Sequence, residues 1–541
     1  MLLVIRLTIL LIILLKVINK LPHEDHDDVN SHSISSLQTN SRWIVNESGK
    51  RVKLACVNWA AHLETAVAEG LSKQPVDVIS KTILDLGFNC VRLTWPLSLI
   101  TNYNSLGISD QFTVRDSFLK AGLSPYIAGI QVNNPSILDL SLINAFQAVV
   151  TSLSNHKVMI ILDNHTSKPG WCCGGSDGDG FFGDQYFNPD LWIKGLTTMA
   201  TMFKDDKYLI GISLRNELRG PKENVDDWYR YMKKGAEAVH AVNPDLLIIL
   251  SGLHYDRDLS FLFQKPLKLK FKSKLVYEVH WYSFSDGHSW ATGNPNQVCG
   301  QTVDNMNRKS GFLLDQGYPL FVSEFGLDLR GGNWSHNRYF NCFMSWAAER
   351  DFDWAIWTVV GSYYVRKGVV GLNETYGIFN WNWSEVSNPS LLKRISVLQT
   401  PFQEPGVSPH KIIFHPLTGL CIQRQSNLNQ LKLGPCSEAE VWDYSPDQKV
   451  LSINGTDRCI EAAKLGEPVK LGIVCNQKSS KWEPISESKM HLSSNPLQDV
   501  NYQICLDVNS NNVVISSTCK CLSKDNTCDP ASQWFKIIDS S

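Results

Sequence analysis

Eight short runs rich in Val, Ile and Leu recur along the first three quarters of the chain, with helix-length stretches separating them. The runs are Val52–Trp59, Asn89–Trp95, Val158–His165, Leu209–Glu217, Leu246–Gly252, Leu275–Tyr282, Pro319–Gly326 and Asp353–Val360. Between them lie Val76–Leu86, Leu140–Leu153, Leu191–Phe203, Val225–Val242 and Asn337–Glu349, whose apolar residues fall near a 3.6-residue spacing. Continuous aliphatic runs are what a strand buried on both faces requires, and parallel strands need long crossovers that helices supply. Eight such repeats close on themselves, whereas another number favours an open sheet. The expectation is an α/β fold, a (β/α)₈ TIM barrel over about residues 41–400.

At 541 residues the chain exceeds one core of ordinary size, so a second, smaller unit is expected. A net charge of -2, with 19% charged residues of mixed sign, leaves no electrostatic footprint for nucleic acid. The N-terminus carries Arg6, the apolar block Leu7–Leu15 and then Lys16, followed by a polar His/Asp-rich stretch. That block is shorter than the ~20 residues that span a bilayer, and it reads as a signal peptide over residues 1–21 with no membrane attachment after cleavage, the alternative being an uncleaved anchor, since no small-x-small cleavage site is obvious. Fourteen cysteines and sequons at Asn46, Asn333, Asn373, Asn382 and Asn454 agree with export to an oxidising, extracellular or cell-wall space. Asn164–His165–Thr166 is also a sequon, but at a strand end where glycan attachment is not expected.

Prolines and glycines cluster at residues 401–409, where the βα rhythm stops. Beyond this linker, residues 410–541 hold short β-type runs, polar turns, eight of the fourteen cysteines and a threefold repeat. Its units run from Cys421 to Trp442, Cys459 to Trp482 and Cys505 to Trp534, each with a further cysteine after a Leu/Val-rich run. Cys421–Cys436 and Cys459–Cys475 are the expected pairs, while the extra Cys521 and Cys528 leave the third unit open.

Two of the eight runs end in an acid: Asn216–Glu217 closes the fourth and Glu324 the seventh. In a barrel of this kind the residue just past a strand's carboxyl end faces the mouth. Hydrolysis of a glycosidic bond needs two such carboxyls, one to protonate the leaving oxygen and one to attack the anomeric carbon or activate water.

Arg92, His165, Asn216–Glu217, His280 and Tyr282, Glu324 and Trp357 match, in that order, the pattern of glycoside hydrolase family 5, which this sequence resembles over roughly residues 50–400. The resemblance implies a retaining hydrolase with Glu217 as acid/base and Glu324 as nucleophile. Asn216 would bind the sugar 2-hydroxyl, Arg92 and Tyr282 would hold the nucleophile, and His165 and His280 would bind hydroxyls or tune the acid. Trp357 offers a stacking face for a pyranose ring. Leu218 stands where many relatives have proline. No cofactor or metal is implied, since two carboxyls suffice for the reaction.

The loop Trp171–Gly180 carries alternating Asp and Gly like a calcium loop but lacks the closing Glu, and it is expected to overhang the cleft with Trp171 as a sugar platform. Cys172 and Cys173 are expected to pair with other cysteines, such as Cys56, Cys90, Cys299 or Cys342, because neighbours in sequence meet disulfide geometry poorly. Residues 410–541 resemble a ricin-type β-trefoil, which implies a second carbohydrate ligand; Asp507 is the candidate lectin-site residue, while Gln423 and Glu461 stand at the equivalent places. The function expected is cleavage of β-1,4-linked glucan or a related β-linked polysaccharide by a cellulase-like enzyme. A carbohydrate-binding barrel without turnover and a transglycosylase are the alternatives.

Overall fold

The computed structural model describes residues 36–101, 111–425, 430–495, 503–523 and 525–541. The proposed signal segment lies outside them. Residues Ser36–Ser541 form one compact unit, and among the described residues no helix is long and apolar enough to cross a membrane.

Eight parallel strands close a barrel in chain order. They are β1 (Ala55–Trp59), β2 (Cys90–Pro96), β3 (Met159–Thr166), β4 (Leu209–Ser213), β5 (Leu247–Leu250), β6 (Leu275–His280), β7 (Leu320–Phe325) and β8 (Asp353–Ile356), with β8 pairing back onto β1. Six lie within the expected runs, β2 and β3 overrun theirs by one residue each at Pro96 and Thr166, and every strand residue is buried, as their aliphatic character requires. The fourth run ends earlier than its apolar pattern suggests. After Ser213 the backbone turns away, with Leu214 N–H donating to Ile249 O and Asn216 N–H to Asn164 O, so Glu217 sits on a loop.

The helices α1 (Val76–Asp85), α2 (Leu142–Asn155), α3 (Pro189–Met202), α4 (Val225–Val242) and α5 (Trp334–Arg350) ring the barrel. Helix α4 shows why the sequence chooses them. Asn224 caps its start by accepting from Asp227 N–H, Asp226 and Asp227 complement the helix dipole, and Trp228, Met232, Gly235, Ala236 and Val239 make one buried stripe. Gly235 is required by packing, because a Cβ there would lie 2.5 Å from the Trp192 ring of α3.

Residues 401–409 are irregular but tied down. Phe402 and Gln403 amides donate to Asp351 Oδ2, whose carboxylate also receives Arg51 and Lys53. The C-terminal region is all-β, built from antiparallel sheets. Strand His410–His415 pairs with Leu420–Arg424, Trp442–Ser445 and the final strand Lys536–Ser540. A second sheet joins Glu483–Ile485, His491–Ser494, Ile504–Val508 and Val514–Thr518. The repeat tryptophans Trp442, Trp482 and Trp534 are all buried.

All fourteen cysteines are paired. Cys421–Cys436 and Cys459–Cys475 join as expected, and the third repeat resolves into Cys505–Cys519 and Cys521–Cys528. In the barrel, Cys56–Cys90 links register partners on β1 and β2, and Cys299–Cys342 ties the Pro295–Met306 helix to α5. The remaining pair corrects the sequence expectation: Cys172 bonds to Cys173 itself. The four cysteines proposed as partners are consumed by one another, because strand register and helix packing bring them together. The loop adopts a local turn that adjacency alone did not suggest.

Asn296 is the hub between barrel and C-terminal region. Its Oδ1 accepts from Trp534 Nε1 and Ser488 Oγ at 2.9 Å each, and its Nδ2 donates to Cys521 O at 3.1 Å. Replacing it with Leu strands these buried partners, at about 1–3 kcal/mol for each unsatisfied group. The expected outcome for Asn296→Leu is a lower urea midpoint with hydrolytic activity per folded molecule unchanged; an unaltered midpoint would show that the contact contributes nothing.

Candidate active site

The carboxyl ends of the strands surround a cleft of about 670 Å³. It receives Glu217, Glu324, Asn216, His165, His280, Tyr282, Trp357 and Trp171, so the sequence-predicted groups meet at one place. Arg92 lies immediately beneath them, fully buried. Asp507 lies in the C-terminal region, where its Oδ2 accepts from Gln533 Nε2 at 3.0 Å and faces Lys520 Nζ at 3.2 Å.

Glu324, on β7, has both oxygens engaged. Arg92 Nη1 donates to Oε1 at 2.8 Å and the Tyr282 hydroxyl donates to Oε2 at 2.9 Å. Strand register explains the neighbours: His280 on β6 is the Cα partner of Glu324, and Asn58 on β1 that of Arg92. Burial raises the Glu324 pKa, while His280 and Arg92 act against that rise. Two charge-assisted or hydroxyl donors aimed at its oxygens favour the ionised form.

Arg92 is the centre of a buried network. Besides Glu324 it meets Asp163 Oδ1 at 2.9 Å and Asn58 Oδ1 at 3.0 Å, and its Nη2 donates to Asn216 Oδ1 at 3.0 Å. Burial works against its charge, yet Asp163, Glu278 and Glu324 together raise its pKa. Arg92→Met leaves these acids facing no cation, and breaking a buried pair in this way costs about 3–5 kcal/mol. A denaturation midpoint equal to that of the wild type would show that the acids are held neutral without the guanidinium.

Glu217 is differently placed. Its Oε1 lies 2.9 Å from His280 Nδ1, and among the described residues no arginine is paired with its carboxyl. Burial pushes its pKa up to about 7, with Arg219 and Arg92 pulling the other way. Its backbone is left-handed, at φ 40°. Such a conformation is unfavourable for a residue with a Cβ and persists where surroundings dictate it. Arg219 Nη1 donates to Glu217 O at 2.8 Å, and Asn216 is anchored to Asn164, so the turn is held on both sides.

One carboxylate oxygen of Glu217, one of Glu324 and a ring nitrogen of His280 lie within 4.8 Å of one another. Burial lowers the His280 pKa, so its imidazole is neutral at neutral pH, with Nε2 3.1 Å from Ser323 Oγ.

Trp357 stacks on His165 at 5.7 Å, and Trp171 meets Trp357 edge-on at 6.3 Å. His165 Nδ1 lies 2.6 Å from Asp163 Oδ2, and burial holds its pKa well below the usual value. The acidic loop is clasped by arginines that flank Asn216–Glu217: Arg219 Nη2 reaches Asp177 at 2.6 Å and Arg215 Nη2 reaches Asp179 at 2.8 Å.

Several residues at the site carry no sequence signal of their own. The ring of buried His62 lies against that of His165 at 3.9 Å, tilted by 32°. Tyr255 and the exposed Phe284 line the cleft, with Phe284 stacked on Tyr282 at 4.7 Å. Arg366 lies over the Trp171 ring at 3.3 Å and pairs with Glu374 at 3.0 Å. His62, Tyr255 and Arg366 come from loops after β1, β5 and β8, whose direction no periodicity reports. The arginines at 215 and 219 are different, because their positions two residues either side of Glu217 were legible.

The family model for cellulase, glycosyl hydrolase family 5, matches residues 45–362. A glycosyl hydrolase 5 family protein of Chamaecyparis obtusa is 42% identical over 531 residues, covering 94% of each chain. An endoglucanase of Paenibacillus polymyxa is 24% identical over 308 residues, 53% of this chain and 70% of that one. Among solved structures, the hyperthermophilic endocellulase of Pyrococcus horikoshii superimposes with a TM-score of 0.54 at 20% identity, covering 67% of this chain and 99% of that one. The catalytic domain of the major endoglucanase of Xanthomonas campestris gives 0.51 at 21%, with 65% and 96% covered. The structural likeness establishes the barrel fold, and the family match over more than half the chain establishes descent: this protein belongs to glycosyl hydrolase family 5, the cellulase family.

Proposed function

We propose that the protein cleaves β-1,4-linked glucan or a related β-linked polysaccharide by a retaining double displacement. The observation that carries this reading is the approach of Glu217 and Glu324 oxygens to within 4.8 Å, with one acid poorly solvated and the other bracketed by Arg92 and Tyr282. Retaining enzymes hold their carboxyls about 5–5.5 Å apart, whereas inverting ones need about 6.5–9.5 Å to admit a water.

In the first step Glu324 attacks the anomeric carbon as Glu217 gives its proton to the departing oxygen. A neutral His280 with its proton on Nδ1 donates to Glu217 Oε1, which leaves the acid proton on Oε2 for the departing oxygen. In the second step Glu217, now ionised, takes a proton from water, and the water oxygen displaces Glu324. Asn216, beside the acid, binds the 2-hydroxyl, a contact that strengthens in the oxocarbenium-like transition state. Trp357, and Trp171 farther out, provide apolar faces for sugar rings. The test is the anomer first released from a cellooligosaccharide, followed by NMR. The β-anomer is expected, and initial release of the α-anomer would overturn the retaining assignment.

The C-terminal region is proposed to be a ricin-type β-trefoil, on the strength of its threefold Cys-to-Trp repeat and three buried tryptophans. A sugar at Asp507 would compete with Gln533 and Lys520 for the carboxylate. Cleavage of residues 1–21 and secretion are proposed on the disulfide content and the sequons.

A further inference from the structure

The Cys172–Cys173 bond lies in the wall of the cleft, away from the strand and helix pairs that brace the barrel. Both sulfurs stand 3.6 Å from Asn216 Nδ2, which points its N–H group at them. On the other side of the same amide, Arg92 Nη2 donates to Oδ1 at 3.0 Å. An asparagine amide can flip end for end, and its partners decide which way it rests. Here a guanidinium, which can only donate, faces the oxygen. Two sulfurs, which as a disulfide can only accept, face the nitrogen. Flipping would set N–H against N–H on one side and oxygen against sulfur on the other.

The disulfide is itself fixed to the acid/base turn. Arg219, two residues past Glu217, donates through Nε to Gly174 O at 3.0 Å and reaches Asp177 through Nη2. Gly174 N–H and Asp179 N–H donate to Asp177 at 2.9 and 3.0 Å. The loop is thereby referenced to the same turn that carries Asn216 and Glu217.

We propose that the Cys172–Cys173 disulfide is a positioning element of the active site, locking the Asn216 amide with its nitrogen toward the cleft so that it can meet the sugar 2-hydroxyl. This rests on the assignment of Asn216 to that hydroxyl. Without the sulfurs the amide is held by Arg92 alone and its nitrogen is less firmly fixed, and the loss falls on the transition state, where the 2-hydroxyl contact is strongest.

The test uses the full-length protein and two substrates, dinitrophenyl β-cellobioside and its analogue lacking the 2-hydroxyl on the ring at the scissile bond. Cys172→Ala/Cys173→Ala is expected to lower kcat/KM on the hydroxylated substrate by about tenfold, the worth of one hydrogen bond in the transition state. On the 2-deoxy substrate the change should stay within about twofold. Both substrates are measured on one preparation, so an unfolded fraction cancels from their ratio. An equal loss on both, complete inactivity included, or no loss on either, would overturn the proposal. Asn216→Ala is run beside it. If that variant shows no selectivity between the substrates, the assignment of Asn216 is what fails. If it does, adding the cysteine changes to Asn216→Ala should leave the ratio where Asn216→Ala put it, and a further fall in the ratio would place the disulfide's effect elsewhere.

Discussion

Glu324→Gln is expected to lower kcat on dinitrophenyl β-cellobioside by about 10⁴-fold or more, since the covalent path loses its nucleophile and only binding and electrostatic terms remain. The amide nearly matches the carboxyl in volume, so Arg92 and Tyr282 keep their places although Arg92 loses one of its anionic partners. A smaller variant, Glu324→Ala, opens a space beside the anomeric carbon. Azide supplied there should attack directly and give a product of inverted configuration. Residual activity within about tenfold of wild type would remove Glu324 from the role of nucleophile.

Loss of the acid gives the second large effect, and its size depends on the leaving group. Glu217→Ala should slow cleavage of unactivated glucan by about 10²–10⁴-fold, the range of general acid–base assistance. A dinitrophenolate needs no proton to depart, so with that substrate the first step survives and the glycosyl-enzyme accumulates, seen as a burst and a low KM. Azide should then speed turnover and yield a product of retained configuration. Equal losses on both substrates would show that Glu217 does not serve as the acid. The pH profile follows from the same group. Burial sets the Glu217 pKa at about 7, so the acid form needed for the first step is depleted as pH rises through that value. The alkaline limb of kcat/KM should lie near there in the wild type. Measured on unactivated glucan for both enzymes, it should disappear for Glu217→Ala.

The barrel could be read from the chain because its signal is local and repeated. Each strand, such as Leu247–Leu250, is an aliphatic run buried on both faces, and each helix, such as α4, carries its own cap, dipole-matching acids and buried stripe. The acids were legible too, because a polar residue at the end of a buried run can point only toward the mouth. The ends of the runs were harder. The fourth continues apolar through Leu214, yet the strand stops at Ser213, because the turn that follows is held by Asn164 on β3 and closed by Arg219 just beyond it.

Which cysteines join was legible in the first two repeats and not in the third or in the barrel. Within a repeat the two partners flank one short hairpin, as Cys421 and Cys436 do, so loop length constrains them. Cys56 and Cys90 meet only because β1 and β2 are neighbours in register, and Cys172 was left with its own neighbour once the others were taken.

The order of apolar and polar residues was enough to dictate the eight-stranded barrel, the two acids at its mouth and the change of architecture after the proline-rich stretch, since burial periodicity and strand-end position are properties of short segments. The difference between the two acids arises only on folding. Arg92 comes from β2, Tyr282 follows β6 and Glu324 ends β7, so a carboxyl's surroundings depend on which distant strands lie beside it. It is this placement, with Arg92 and Tyr282 against Glu324 and a desolvated wall with His280 against Glu217, on which the proposed division into nucleophile and proton donor rests.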